Sequence, residues 1–435
     1  MTTVISPTAI APSPIRNIPI ANHYPAGGPP TRASRRPGRI DRINLIDFAI
    51  VIAVLFALGN GYQRGLPLSL AQYLGLLVGV IVGAAIAPFL ADLLGIRGPL
   101  TRPLTGVVIL FAAGSIGSSA GYWLGEPLRL ASLRKPGGGR FDGVGGAAFS
   151  MLAVLSVCWF LGVSFSRGPS PDVARLIQRS TILRFLDGAL PPTPSFLAGV
   201  QQVLAGVPFP SAFAGLEPDL PGSLPLPPTI DTPGLRRAQI ATVKVVSDGV
   251  GCSGKVSGSG FPVAGNHILT NAHVVAGTRN TVVVATDGRV LPATVVLFDA
   301  SRDVAILNVP RLELAALGTR DGSRGSQGAV IGYPGGNAET ASPAVVDGVV
   351  MAEGRDIYND RLVTRQILIV EAIVLPGNSG GPLVDTDGDA LGVIFAASTS
   401  GGQQAYALSI AEVTPDIEAA VGRSAPADTG SRCAV

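Results

Sequence analysis

The stretch PGNSGGPL, residues 376–383, decides how the C-terminal half of this 435-residue chain folds. Gly377, Gly380 and Gly381 crowd a tight turn around Ser379, and an apolar strand signal leaves it. Glycine takes the unusual dihedrals such a turn needs. Outward from it, from about residue 238, short Val- and Ile-rich runs alternate with Gly, Asp and Asn turns. They are QIATVKVVS, GSGFPVAG, HILT, NTVVVAT, RVLPATVVLF, DVAILNV, GAVIGYP, AVVDGVVM, LVTRQILIV, PLVDTDGDALGVIFA and AYALS. About eleven strands at this spacing indicate an antiparallel sandwich or a pair of barrels. Roughly 185 residues suffice for two six-stranded barrels. A closing helix is predicted over 410–422.

Two more segments carry polar residues at strand ends. TNAHVV (270–275) follows HILT and holds His273; RDVAIL (302–307) opens an apolar strand with Asp303. The order is His, Asp, Ser, with steps of 30 and 76 residues. A serine hydroxyl is a weak nucleophile until an imidazole takes its proton. The imidazole in turn needs a carboxylate to fix its tautomer and stabilise its charged form. The backbone N–H groups of Gly377 and Ser379 are placed to hold a developing oxyanion. His267, beside HILT, is expected to be a surface or packing residue, and His23 lies in the N-terminal tail.

TNAHVV, DVAIL and GNSGGPL resemble the three signatures of chymotrypsin-fold serine proteases, and their wording is most similar to the bacterial HtrA/Deg-like branch. The resemblance covers about residues 238–423. It implies a double six-stranded β-barrel, His273 as general base, Asp303 as orienting acid, Ser379 as nucleophile and Gly377 with Ser379 as oxyanion hole. It places the base of the primary specificity pocket at Ile373 and a wall near Ala397 and Ser398. An apolar base implies a small or aliphatic substrate residue rather than Lys or Arg. The pattern departs from the family in two ways. About 12 residues follow the closing helix, which leaves no room for a PDZ domain, and no IVGG-type activation site precedes the first strand.

The other half has a different texture. The chain is 47% hydrophobic and 14% charged, against about 25% charged in soluble domains. Mean hydropathy is +0.43. The stretches 65–91, 103–125 and 143–166 contain no charge, and 43–59 contains only Asp47. Three of them exceed the roughly 20 residues a bilayer span needs and 43–59 reaches the lower end of the range, so four spans are expected. Asp47 lies near enough to a membrane surface to reach water. Gly75, Gly79, Gly83 and Ala87 recur every four residues and share one helix face. Such a seam joins helices of one copy or of two. These spans, with RGL at 64–66, resemble the colicin-V-production (CvpA-like) membrane domain. The combination resembles actinobacterial membrane-anchored periplasmic serine proteases associated with acid resistance.

Four segments are therefore expected. Residues 1–42 form a disordered basic tail, with no cleavable signal peptide. Residues 43–166 form a four-helix membrane domain. Residues 167–237 hold an amphipathic juxtamembrane helix over 171–187 and a Pro-rich linker, with a short helix over 195–206. Residues 238–435 form the protease-like domain. Residues 1–237 carry 19 Lys+Arg against 10 Asp+Glu, and residues 238–435 carry 13 against 19. The acidic half makes nucleic acid an unsuitable partner. Three Cys and three His exclude a disulfide-dense scaffold and a multi-His metal site, and nothing calls for a cofactor.

Charge counting gives no single orientation. Arg32, Arg35, Arg36, Arg39 and Arg42 argue for a cytoplasmic N-terminus; Arg129, Arg134, Lys135 and Arg140 argue the reverse. Cysteine usage favours an extracytoplasmic domain. Cys158 falls inside a span, whereas Cys252 follows the first strand and Cys433 is third from the end. A Cys252–Cys433 disulfide would tie down the tail in an oxidising compartment. The leading expectation is a membrane-anchored endopeptidase acting on cell-envelope proteins under acid or oxidative stress. An ordinary His titrates near pH 6.5, so strong acid would oppose such a base. A membrane scaffold, or a stress sensor whose protease-like domain binds peptides without cleaving them, remains the alternative.

Overall fold

The computed structural model describes residues 44–95, 101–133, 138–166, 170–190, 212–218, 223–228, 231–249, 255–399 and 403–434. The N-terminal tail, the predicted helix over 195–206 and Cys252 lie outside them. Four long helices come first: α1 (Leu45–Arg64), α2 (Leu66–Leu93), α3 (Thr101–Leu133) and α4 (Gly138–Phe165). Each is long and apolar enough to cross a membrane. α1 begins where the Asn44 side chain accepts from Ile46 N, and it ends at Gly65, whose φ is 79°. The Asp142 carboxylate of α4 accepts from Leu66 N at 2.9 Å, which satisfies one of the orphan donors at the start of α2.

The four-residue glycine stripe is an intrachain seam. A Cβ on Gly75 would lie 2.2 Å from Gly117 O of α3, and one on Gly117 would lie 2.1 Å from Gly75 O. The two backbones touch, so nothing larger than hydrogen fits between them. In a bilayer, where apolar burial gives helices no drive to associate, this close packing holds them together.

The predicted amphipathic helix is two short ones, α5 (Pro171–Gln178) and α6 (Thr181–Ala189). The break falls at Ser180, whose hydroxyl accepts from Leu183 N at 3.1 Å as the N-cap of α6. Asp47 does not reach out to water as expected. It accepts from Ser180 Oγ at 2.5 Å, Thr181 N at 3.1 Å and Ile182 N at 3.2 Å. The exposed donors and positive end of α6 explain this placement.

The C-terminal half opens with α7 (Pro233–Ala241), so the QIA of the first apolar run is helical and β1 (Val243–Gly249) begins only after Thr242. β2 is Lys255–Ala264, β3 His267–Thr270, β4 Thr278–Val284, β5 Val290–Asp299 and β6 Val304–Asn308. They close into a barrel in the order β1-β2-β3-β6-β5-β4. A one-turn helix, α8 (Ala272–Val275), separates β3 from β4. β7 (Gln327–Gly332), β8 (Thr340–Arg355), β9 (Leu362–Ala372), β10 (Pro382–Asp385), β11 (Ala390–Ala397) and β12 (Gln404–Ser409) close the second barrel, ordered β10-β11-β12-β9-β8-β7. The run PLVDTDGDALGVIFA folds back on itself, so eleven apolar runs become twelve strands. α9 (Ile410–Ala420) follows.

Val245, Ile268 and Leu307 fill the first barrel, and Val330, Leu368 and Ile394 the second. Phe261, Ile306, Phe395 and Tyr406 form a third cluster together with residues of both barrels. Burying each such side chain stabilises by about 1.5–3 kcal/mol. The seam between the barrels is thus a buried apolar core like either interior.

Candidate active site

His273 sits on α8, immediately after β3, and Asp303 immediately precedes β6. β3 and β6 pair directly, with Thr270 opposite Ala305, so the two loops leave the sheet side by side. Asp303 is buried, with a left-handed φ of 62°, a region Asp enters more readily than most residues. Asn271 Nδ2 donates to Asp303 O at 2.9 Å and holds that conformation. One Asp303 carboxylate oxygen accepts from His273 N at 2.9 Å, and the other lies 2.8 Å from His273 Nδ1. A carboxylate only accepts, so Nδ1 carries the proton and Nε2 is left as a proton acceptor.

Ser379 is buried on the turn between β9 and β10. Asn378 N donates to Leu375 O at 3.0 Å, which closes a four-residue turn over 375–378. Pro376 fixes a negative φ at its second position, and Gly377 has φ 102° at its third. That combination defines a type II turn. The peptide is held on both sides. Gly335 N donates to Pro376 O at 2.6 Å, and Ser259 Oγ donates to Gly377 O at 2.7 Å. Among the described residues neither Gly377 N nor Ser379 N donates to a protein acceptor. Two N–H groups beside a serine hydroxyl are therefore free for a ligand oxygen.

The two loops meet across the barrel seam. A Cβ on Gly258 of β2 would lie 2.7 Å from the Val274 side chain and 3.0 Å from Ser379 O. A Cβ on Gly380 would lie 2.3 Å from Thr270 Oγ1. Among the described residues Ser379 Oγ makes no hydrogen bond to His273; in substrate-free sites this contact is commonly long and tightens on binding.

With this geometry in place, the comparisons are specific. The family described as Trypsin-like peptidase domain matches residues 258–393, and the one described as Colicin V production protein matches residues 46–191. Serine protease Rv3671c of Mycobacterium tuberculosis is 31% identical over 396 residues, covering 89% of this chain and 98% of that protein. The chain belongs to this serine protease family. A probable periplasmic serine endoprotease, DegP-like, of Halomonas elongata is 34% identical over 158 residues, 35% of this chain and 32% of that protein. The crystal structure of the active form of the Rv3671c protease is 37% identical, covers 50% of this chain and 96% of that chain, and superposes with a TM-score of 0.48. The protein is thus a multi-pass membrane serine protease of the HtrA-like type, acting on peptide bonds of protein substrates.

Within this protease, several residues near the site escaped the sequence reading. Ser259 lies in a Gly-Ser-Gly interruption of a valine-rich strand, a sign of close backbone approach that was available. Arg365 of β9 is buried and donates through Nε to Ser301 O at 2.9 Å and through Nη2 to Arg355 O at 2.7 Å. It thereby anchors the loop that ends at Asp303. Burial lowers its pKa, and Asp303 is the first of the carboxylates opposing that shift. Asp416 of α9 accepts from Arg302 at 2.8 Å, beside the same loop. Burial raises its pKa to about 6, with Arg302 pulling it down.

Glu217 was also missed, because it stands in a Pro-rich segment with no pattern. Its carboxylate accepts from Ser398 Oγ at 2.5 Å and Thr399 N at 2.9 Å. Phe213 packs edge-on against Tyr406 at 5.2 Å, and Leu216 N donates to Asp187 at 2.9 Å. This segment ties α6 to the end of β11. Ile373 stands half exposed just past β9, and Ala397 ends β11. His267 is a packing residue, with its ring nitrogens on Ala264 O and Arg423 O. Cys158 is free, and Cys433 is disulfide-bonded.

Proposed function

We propose that His273, Asp303 and Ser379 are the catalytic triad of this protease and that Gly377 and Ser379 form its oxyanion hole. The observation that carries this reading is the type II turn at Ser379. It leaves two N–H groups without protein acceptors beside the Ser379 hydroxyl, in a loop packed against Gly258 and Thr270 next to the His273 segment. Ser379 Oγ attacks the substrate carbonyl as His273 Nε2 takes its proton, and Asp303 stabilises the imidazolium formed. The oxyanion draws on the Gly377 and Ser379 N–H groups, which need no reorganisation at that moment. His273 then protonates the leaving amine, and water hydrolyses the acyl-enzyme. Ile373 supplies the apolar base of the primary pocket, with Ala397 and Ser398 as its wall, and selects small or aliphatic side chains.

The protease half lies outside the cytoplasm, and its substrates are cell-envelope proteins, cleaved under acid or oxidative stress. Support comes from the disulfide at Cys433, which needs an oxidising compartment. Its partner in this reading is Cys252, since Cys158 is free. The test is cleavage of a fluorogenic protein substrate by the full-length chain in detergent. Ser379→Ala and His273→Ala are each expected to lower kcat by about 10⁴-fold or more. Turnover retained in either variant would overturn the assignment.

A further inference from the structure

The four spans enclose a second polar site far from Ser379. α1 starts beside α5 and α6, where Asn44 Nδ2 donates to Leu176 O at 2.8 Å and Asp47 caps α6. It therefore carries Arg64 to the opposite end of the bundle. There a cavity of about 320 Å³ opens between α1, α2 and α4. Asn60 and Arg64 line it from α1, Ser69 and Gln72 from α2, and Ser150 from α4. One to three turns deeper along α1 and α4 the lining becomes apolar, with Phe56, Ala53 and Val154.

Three features give the site its chemistry. The lining holds a guanidinium and no carboxylate. Among the described residues Arg64 pairs only with a neutral group, the Gln72 amide oxygen, at 2.9 Å. The nearby Asp142 is engaged at Leu66 N. Ser69 is 1% exposed, and its hydroxyl has no hydrogen-bond partner. A buried hydroxyl without a partner is costly unless something completes it, and Arg64, exposed at the mouth of the same cavity, supplies a positive charge with no carboxylate in the lining. The gradient from guanidinium to apolar wall matches an amphiphile with a negative head.

We propose that this cavity binds the phosphate group of an anionic phospholipid. Arg64 engages the phosphate oxygens, Ser69 and Asn60 donate to them, and the first acyl carbons lie along Phe56. The volume is at the small end for ligand sites, so it takes the headgroup and not the whole lipid. The shared chemistry, a phosphate oxyanion, could also come from free phosphate, and the test separates the two.

Full-length protein in neutral detergent is titrated with dihexanoyl phosphatidylglycerol, dihexanoyl phosphatidylcholine or inorganic phosphate while Tm is followed. Phosphatidylglycerol is expected to raise Tm saturably and the zwitterionic lipid is not. Arg64→Gln should weaken the apparent affinity by about five- to tenfold, the worth of one basic contact at a membrane surface. Gln72→Glu keeps the size of the side chain and neutralises Arg64 internally, so it should abolish the shift while the fold persists. Arg129→Gln, at the same end of the bundle, should leave it unchanged. An equal shift from inorganic phosphate at equal concentration would reject the lipid as the source. Equal shifts from both lipids, or an undiminished phosphatidylglycerol shift in Gln72→Glu, would overturn the site itself.

Discussion

The membrane bundle and the second barrel both depend on glycine, for opposite reasons. Between α2 and α3, Gly75 and Gly117 are absences: each leaves room for the other's backbone. At the Ser379 turn, Gly377 contributes a conformation, the φ of 102° that a type II turn needs at this position. The first use recurs every helical turn and is spread over a whole face. The second is confined to one residue and is defined by what its neighbours do. Substituting the first should cost assembly, whereas substituting the second should cost chemistry.

The largest separation is expected from Gly377→Ala. Its Cβ would lie 2.3 Å from Tyr333 O, so the 376–377 peptide must turn and withdraw its N–H. Loss of one oxyanion donor lowers kcat by about 10²–10³-fold. Steady-state kinetics should show this as a lower kcat per folded molecule with KM little changed, alongside a fall in Tm from the backbone clash; an unchanged kcat per folded molecule would erase the contrast. Gly75→Ala should lower Tm alone. Forcing a methyl between touching backbones costs about 1–3 kcal/mol, seen as a lower Tm of the full chain in detergent, with kcat per folded molecule unchanged.

Asp416 sharpens the contrast from the side of charge. Its carboxyl is raised to about 6 in the folded protein, above the ordinary Asp value near 3.9. The folded state therefore binds the proton more tightly, and the stability this supplies is present in acid and lost as pH rises through about 6. Chemical denaturation should find wild type gaining on Asp416→Asn by about 2 kcal/mol between pH 7.5 and pH 4.5. A pH-independent difference would contradict the burial argument. The smallest effect is expected at Glu217→Ala, which frees Ser398 and Thr399 beside the wall proposed for the primary pocket. KM should rise about two- to fivefold, the worth of one or two partly exposed hydrogen bonds, with kcat unchanged. An unchanged KM would detach the linker from substrate binding.

Both uses of glycine were legible in the sequence, to different depths. The stripe at Gly75, Gly79 and Gly83 announced a packed helix face, because helical periodicity is local. It did not say whether the partner was α3 or another copy, since that depends on contacts distant in sequence. GNSGGPL announced a tight turn and, with TNAHVV and DVAIL, the serine protease family to which the chain belongs. It could not show Ser259 or Gly335 holding that turn, because Ser259 reaches it from β2 and Gly335 from the turn that follows β7. The break at Ser180 and the capping by Asp47 were hidden for a related reason: a capping side chain competes with helix continuation only once a neighbouring helix end is in place. Arg365 and Glu217 gave no signal at all, one an isolated charge in a strand and the other in a Pro-rich linker.

The most direct test of the active-site assignment is where a covalent probe lands. Full-length protein is treated with a fluorophosphonate and digested, and the adduct is located by mass spectrometry. A single adduct on Ser379, absent from Ser379→Ala and strongly reduced in His273→Ala, is the expected result. A folded wild-type protein that takes no label, or one labelled equally well after Ser379→Ala, would contradict it.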